Sequence, residues 1–208
     1  MRHSLSRAVI AFVGLALVLS LQGCGRKSAP LPALPPNAVV LAFGDSLTFG
    51  TGAAPEQSYP AKLAQRIGRE IVNLGVPGEV SGDGLRRLPG ALDEVKPALL
   101  ILCHGGNDFL RKLDPVATEA NVRAMIKLAR DRNIPVLLMA TPKPGLILSP
   151  PPFYETVAKD LQVPLEDAVL AKVLSDNSLK SDLVHPNAAG YERIAEALAA
   201  TLKQAGAL

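Results

Sequence analysis

The chain is 208 residues long, 48% hydrophobic and 20% charged, with two cysteines, no tryptophan and 22 Lys plus Arg against 19 Asp plus Glu. That balance excludes a disordered chain, a disulfide scaffold and a polytopic membrane protein, and it leaves enough apolar content for one globular core. No run of basic residues exceeds two, so the slight positive charge does not point to nucleic acid.

Residues 1–23 carry Arg2 and Arg7 ahead of an almost unbroken apolar run from Ala8 to Leu21, with the small Gly23 just before Cys24. This is the layout of a secretory signal, and the run is short for a membrane span. Leu21-Gln22-Gly23-Cys24 resembles a bacterial lipobox, which implies a lipidated Cys24 and a protein held on a membrane of the cell envelope, facing the periplasm or the exterior. Plain secretion and a retained anchor helix are the alternatives to lipidation. Cleavage before Cys24 removes two basic and no acidic side chains, leaving 20 against 19, so most of the positive charge belongs to the export signal. Between Gly25 and Asn37 four prolines interrupt any helical or strand period; residues 24–37 read as an extended tether and 38–208 as the folded domain.

From Ala38 onward apolar runs alternate with amphipathic stretches. Val39 to Phe43 is a buried-strand pattern, followed by a helix from about Tyr59 to Arg69, a strand at Glu70 to Leu74 and a helix around Gly84 to Val95. Ala98 to Cys103 is the most apolar strand, and Pro115 to Arg130 has the clearest helical pattern, with Val116, Val122, Met125, Ile126 and Ala129 at helical spacing. Pro135 to Ala140 gives a fourth strand, Val163 to Leu165 a short fifth, and Pro186 to Leu202 a closing helix with proline in its first turn. Continuous apolar strands separated by helices mean a parallel sheet covered on both faces. Cys103, inside the third strand, reads as an inert buried thiol.

In such a sheet the ligand site lies beyond the carboxyl ends of the strands. The first such loop is Gly44-Asp45-Ser46-Leu47-Thr48, where glycine permits a sharp turn and the serine hydroxyl can face a substrate; a plain helix cap is the competing reading. A serine nucleophile needs a base, and Asp182-Leu183-Val184-His185-Pro186 supplies an imidazole with an aspartate three residues away that can fold back and orient it. His104 reads as structural. Acyl transfer also needs donors for a developing oxyanion. Gly78, in Asn73-Leu74-Gly75-Val76-Pro77-Gly78, can offer a backbone N–H, and Asn107, in Gly105-Gly106-Asn107-Asp108, a side-chain amide.

Gly-Asp-Ser-Leu, Asn-x-Gly-x-x-Gly, Gly-Gly-Asn-Asp and Asp-x-x-His-Pro, in this order and at these strand ends, resemble the SGNH (GDSL-type) hydrolase superfamily from about Val39 to Leu202. The Gly-Asp-Ser-Leu-Thr-Phe-Gly opening and Gly-Leu-Arg-Arg-Leu-Pro at 84–89 are most similar to its bacterial thioesterase, arylesterase and lysophospholipase branch. The resemblance implies an α/β fold, a three-layer α/β/α sandwich around a five-stranded parallel sheet. It implies Ser46 as nucleophile, Asp182 and His185 as its partners, and the Ser46 N–H, Gly78 and Asn107 as the oxyanion hole. Ser81-Gly82-Asp83 offers a competing register, with Gly82 as the lesser candidate for the glycine donor. The expected chemistry is hydrolysis of acyl esters or thioesters, lysophospholipids among them, by a monomer without metal or cofactor.

A nucleophile of the Gly-x-Ser-x-Gly type is absent, since Thr48 stands two residues after Ser46, and Asn-x-Gly-x-x-Gly follows the second strand rather than opening a dinucleotide fold. A carbohydrate O-acetylesterase and a non-catalytic, lipid-tethered envelope binding protein stay open as alternatives. The apolar, proline-rich segment from Pro142 to Tyr154 is expected to border an acyl pocket through Leu146, Ile147, Leu148 and Phe153, with Phe109, Leu110 and Leu113 as a second wall.

Overall fold

A computed structural model describes residues 28–208; Cys24 and the signal lie outside the described residues. Five strands form one sheet: β1 (Val39–Gly44), β2 (Glu70–Gly75), β3 (Leu99–Cys103), β4 (Val136–Met139) and β5 (Leu165–Glu166). All pairings are parallel, in the order β2-β1-β3-β4-β5, with Phe43 opposite Leu74 on one side and Leu102 on the other. Among the described residues eight helices surround it: α1 (Ser46–Phe49), α2 (Tyr59–Ile67), α3 (Ser81–Val95), α4 (Gly106–Leu110), α5 (Pro115–Arg130), α6 (Phe153–Asp160), α7 (Val169–Ser175) and α8 (Ala188–Gln204).

β1, β3 and β4 are apolar without alternation because both of their faces are covered. Val40 and Ala42 of β1, with Leu99, Ile101 and Cys103 of β3, pack under Tyr59, Leu63, Tyr191, Ile194 and Leu198 from α2 and α8. Leu41, Phe43, Leu100 and Leu102 face the other way, onto Leu88 and Leu92 of α3, Val122 and Ile126 of α5 and Val157 of α6. Side chains two apart on a strand share a face, so each strand feeds two cores at once. Cys103 is a buried free thiol in the first of them, and burial pushes its pKa up.

Helix boundaries follow local chemistry. Pro115 opens α5 behind Asp114, whose side chain accepts from the Val116 N–H at 2.9 Å. The closing helix begins later than expected. Asn187 caps it, accepting from the Gly190 N–H at 3.1 Å, and Pro186 lies outside it, bridged to Lys180. The fifth strand is shifted to Leu165–Glu166. Four helices were not anticipated: the short α1 and α4, and the longer α6 and α7. In α6 and α7 the apolar spacing is present, as Tyr154, Val157, Ala158 and as Val169, Leu170, Val173, Leu174, but each is only two turns long.

The tether reading needs correction at its second half. The Leu31 and Leu34 N–H groups donate to the Ala205 and Ala207 carbonyls at 2.8 and 2.9 Å, and Leu34 is buried in the first core. Two leucines in a proline-rich stretch were enough to dock it, since burying one leucine is worth about 1.5–3 kcal/mol. Pro30 to Pro32 border a cleft with Pro135, Val136 and Pro164 at the amino ends of β4 and β5. The docked segment therefore enters at the end of the sheet opposite the carboxyl-end loops.

Candidate active site

The strand order turns back between β1 and β3, because β2 lies on one side of β1 and β3 on the other. The loops leaving these two strands diverge there and open a crevice. Gly44 ends β1 in a place where a Cβ would stand 2.3 Å from both the Cys103 carbonyl and Thr48 Oγ1. Only glycine lets the chain turn so close to β3. Asp45 then caps α1 through the Leu47 N–H at 3.0 Å, so the cap falls to Asp45 and Ser46 is the first helical residue. The Ser46 N–H, one of the orphan donors of a first turn, has no partner among the described residues.

Ser46 Oγ lies 3.0 Å from His185 Nε2, and His185 Nδ1 lies 2.8 Å from Asp182 Oδ2. The other carboxylate oxygen of Asp182 accepts the Val184 and His185 N–H groups at 2.8 and 2.9 Å. This tight turn is closed by the Ser181 N–H on the His185 carbonyl and by the Lys180–Pro186 bridge. Burial acts to raise the Asp182 carboxyl, but the Val184 N–H and the His185 ring outweigh it and hold the pKa below the ordinary value. A hydroxyl, an imidazole and a carboxylate thus stand in a line, with Nδ1–H on the aspartate and Nε2 left to accept the hydroxyl proton.

Gly78 and Asn107 line the same cavity as Ser46 and His185. Gly78 has a positive φ of 79°, which favours glycine, and its N–H has no partner among the described residues. Gly82, the competing donor, sits in the first turn of α3 beside Asn121 and Arg86 and does not line the cavity. The Asn107 amide donates to the Glu79 carbonyl at 3.0 Å and to Asp45 Oδ2 at 3.2 Å. Its loop is pinned from behind: the Tyr154 hydroxyl donates to the His104 carbonyl at 2.6 Å and meets Thr141 Oγ1 at 2.6 Å. A Cβ on Gly105 would stand 2.3 Å from that tyrosine oxygen.

The cavity has a volume of about 850 Å³, and its walls are mainly apolar. Leu110, Leu146, Ile147 and Leu148 line it, as expected, together with Leu174, Leu183 and Val184, which were not anticipated. Phe109 and Phe153 do not line it. Phe109 turns into the second core at 8% exposure, and Phe153 stacks on Tyr154 with ring centroids 4.2 Å apart. Leu113 is exposed but lies off the cavity. Leu183 and Val184 sit inside the Asp-x-x-His turn itself, so the segment that holds the imidazole also supplies wall. Among the described residues no group of three or more His, Cys, Asp or Glu is placed to hold a metal ion.

The profile of the GDSL-like Lipase/Acylhydrolase family matches residues 42–193, from β1 into α8. The chain belongs to this family. It is 31% identical to the Esterase TesA of Pseudomonas aeruginosa over 95% of this chain and 98% of that one. It is 30% identical to the Thioesterase 1/protease 1/lysophospholipase L1 of Escherichia coli over 79% of this chain and 83% of that one. The crystal structure of TesA superposes with a TM-score of 0.72 at 30% identity, covering 79% of this chain and 98% of the other. The protein is accordingly a GDSL-type hydrolase of acyl esters, built on the α/β sandwich described above.

Two buried groups of this GDSL hydrolase escaped the sequence reading. Asp108 accepts the Ser81 N–H at 2.8 Å and the Ser81 hydroxyl at 2.6 Å, tying α4 to the start of α3. Glu79 pairs with Arg87 at 2.8 and 2.7 Å. Burial acts to raise the Glu79 carboxyl, but the hydrogen bonds and charge of Arg87, with His104 Nε2 3.2 Å away, hold it at about 2, below an ordinary 4.5. A carboxyl that titrates lower when folded stabilises the fold above about pH 4.5, and this stability is lost as pH falls toward 2. Discounted for solvent screening, the pairing is worth roughly 2 kcal/mol at neutral pH. Urea denaturation of Glu79→Gln should therefore show a shallower loss of stability across that acid window than the parent; equal slopes would contradict the pairing.

Proposed function

We propose that this hydrolase is a serine esterase in which Ser46, His185 and Asp182 act as the triad on acyl chains of medium length, carried as esters, thioesters or lysophospholipids. The observation that carries this reading is the Ser46–His185–Asp182 line at the mouth of an apolar cavity. His185 Nε2 takes the Ser46 proton as Oγ bonds to the acyl carbon, and the imidazolium is held by Asp182 through Nδ1. The carbonyl oxygen, now negative, is received by the N–H groups of Ser46 and Gly78 and by the Asn107 amide, which gives up its longer bond to Asp45. The imidazolium returns the proton to the leaving alcohol or thiol. Water then attacks the acyl-enzyme by the same route and releases the acid.

Thioesterase and lysophospholipase appear in the name of the Escherichia coli relative, and the apolar walls suit the acyl part that these substrates share. The test is turnover of aryl esters and acyl thioesters of graded chain length. Rates should rise from acetyl toward medium chains, and polar substitution of Leu146 and Leu148 should move the optimum toward shorter chains by several-fold in kcat/KM. A methylene in an apolar pocket is worth about 1–3 kcal/mol. Unchanged chain preference would show that these leucines are not the acyl wall.

We also propose that Cys24 carries the lipid that holds the enzyme on a membrane of the envelope. The support is the Leu21-Gln22-Gly23-Cys24 sequence. With Leu31 docked, the link from Cys24 to the fold is at most about 25 Å, which sets the amino end of the sheet toward the membrane and the active site away from it. Cys24→Ser should shift the protein from the membrane fraction to the soluble fraction, and the mature wild type should gain the mass of its acyl chains. An unmodified mature mass would refute the anchor.

A further inference from the structure

Glu79 follows Gly78 directly and takes no part in the motif set. Its side chain is 7% exposed and bridged by Arg87 Nε and Nη2. The same Nη2 donates to the Leu74 carbonyl at the end of β2 at 3.0 Å, and the guanidinium lies 4.0 Å over the Phe43 ring of β1. Behind the carboxylate stands His104, fully buried, with Nε2 3.2 Å from Glu79 Oε2. A Cβ on Gly84 would come within 2.5 Å of that nitrogen, so α3 closes the back of the group.

The main chain of Glu79 does a second thing. Its carbonyl accepts from Asn107 Nδ2 at 3.0 Å, and its N–H donates to the Val76 carbonyl at 3.1 Å. One residue is therefore joined to both loops that face the developing oxyanion, to Gly78 by a peptide bond and to Asn107 by a hydrogen bond. A buried carboxylate is costly unless its partners are fixed, so the clamp determines where this peptide lies far more tightly than a solvated loop residue could.

We propose that Glu79, clamped by Arg87 and backed by His104, is a positioning residue that keeps the Gly78 N–H and the Asn107 amide aligned on the transition-state oxygen. The proposal rests on the triad and oxyanion reading above. Misalignment costs transition-state stabilisation and leaves ground-state binding in the apolar cavity intact, so it falls on kcat and not on KM.

The experiment compares full-length wild type, Glu79→Gln, Arg87→Gln, the double variant and Ser46→Ala in kcat and KM on a short-chain aryl ester. Melting temperature and the rate of inactivation by an aryl phosphonate, which forms a tetrahedral adduct on a reactive serine, are measured alongside. Glu79→Gln and Arg87→Gln should each lower kcat by roughly 10- to 100-fold with KM within about threefold, less than deleting an oxyanion donor outright. Phosphonylation should slow by a similar factor, and the double variant should be no slower than the worse single, because both remove one clamp. Wild-type kcat in the folded single variants, or a loss confined to KM or to melting temperature, would overturn the positioning role. If Glu79→Gln does not fold, Arg87→Lys decides: it keeps the charge but not the two-pronged grip, and an unchanged kcat there would equally overturn it. Turnover surviving in Ser46→Ala defeats the triad reading itself, whereas an inactive Ser46→Ala beside a fully active Glu79→Gln defeats only the clamp.

Discussion

Ser46→Ala should reduce ester turnover by roughly a million-fold while the protein melts within a degree or two of the parent. The size follows from how a triad works: nucleophile and base act as a unit, so losing either removes covalent catalysis altogether. His185→Ala should cost about as much, and Ser46→Ala/His185→Ala no more than either alone. What remains in each comes from the oxyanion donors and the cavity, on the order of 1,000-fold over water. The fold should tolerate these changes, because Ser46 and His185 are only partly buried and neither packs into the two apolar clusters. Steady-state kinetics on an aryl ester with thermal denaturation of the same samples settle it. Near-parental turnover in His185→Ala would refute the assignment, and so would additive losses in the double variant.

Gly44→Ala should be severely damaging to stability, by about 3–5 kcal/mol or failure to fold. The added methyl would stand 2.3 Å from the Cys103 carbonyl and from Thr48 Oγ1. The threonine is not free to swing away, since its hydroxyl is buried and bonded to Tyr59 at 3.0 Å, and the carbonyl belongs to the central strand. At this chain length each kcal/mol moves the melting temperature by about 2–4 °C, so a fall of about 6–20 °C is expected. Gly90→Ala is the control: it lies inside α3 with nothing within 4 Å of the added carbon, and alanine there should be neutral or stabilising. A Gly44→Ala protein as stable as the parent would mean that β1 and β3 are not packed this closely.

The legible parts of this protein are those in which neighbours in sequence are also partners in chemistry. β1 and β3 announce themselves by unbroken apolar runs, α5 by its 3.6-residue period and Asp114-Pro115 start. The Asp182–His185 contact closes within three residues, so the spacing alone brings ring and carboxylate together. The pocket walls were read less well. Phe109 and Leu110 are adjacent, yet one turns into the core and the other into the cavity, a choice made by the 100° step of a five-residue helix whose ends composition does not mark. The docking of Leu31 and Leu34 was hidden for a different reason: a short proline-rich segment has no period of its own, and its place depends on the carboxyl end of α8 some 170 residues later.

By itself the sequence determined the class of fold and marked the four loops that meet at the cavity, with a hydroxyl, an imidazole and a carboxylate among them, because backbone periodicity and short-range turns depend only on nearby residues. The tertiary structure alone decided that β1 lies between β2 and β3, so that Ser46 and His185, 139 residues apart in sequence, come within 3.0 Å. It also decided that Gly78 and not Gly82 faces the cavity, and that the buried Glu79 and His104 meet under a half-buried Arg87. These contacts join segments far apart in the chain, and they form because each strand must bury both faces and each buried charge must find a partner. No local pattern encodes that requirement; only the packed whole meets it.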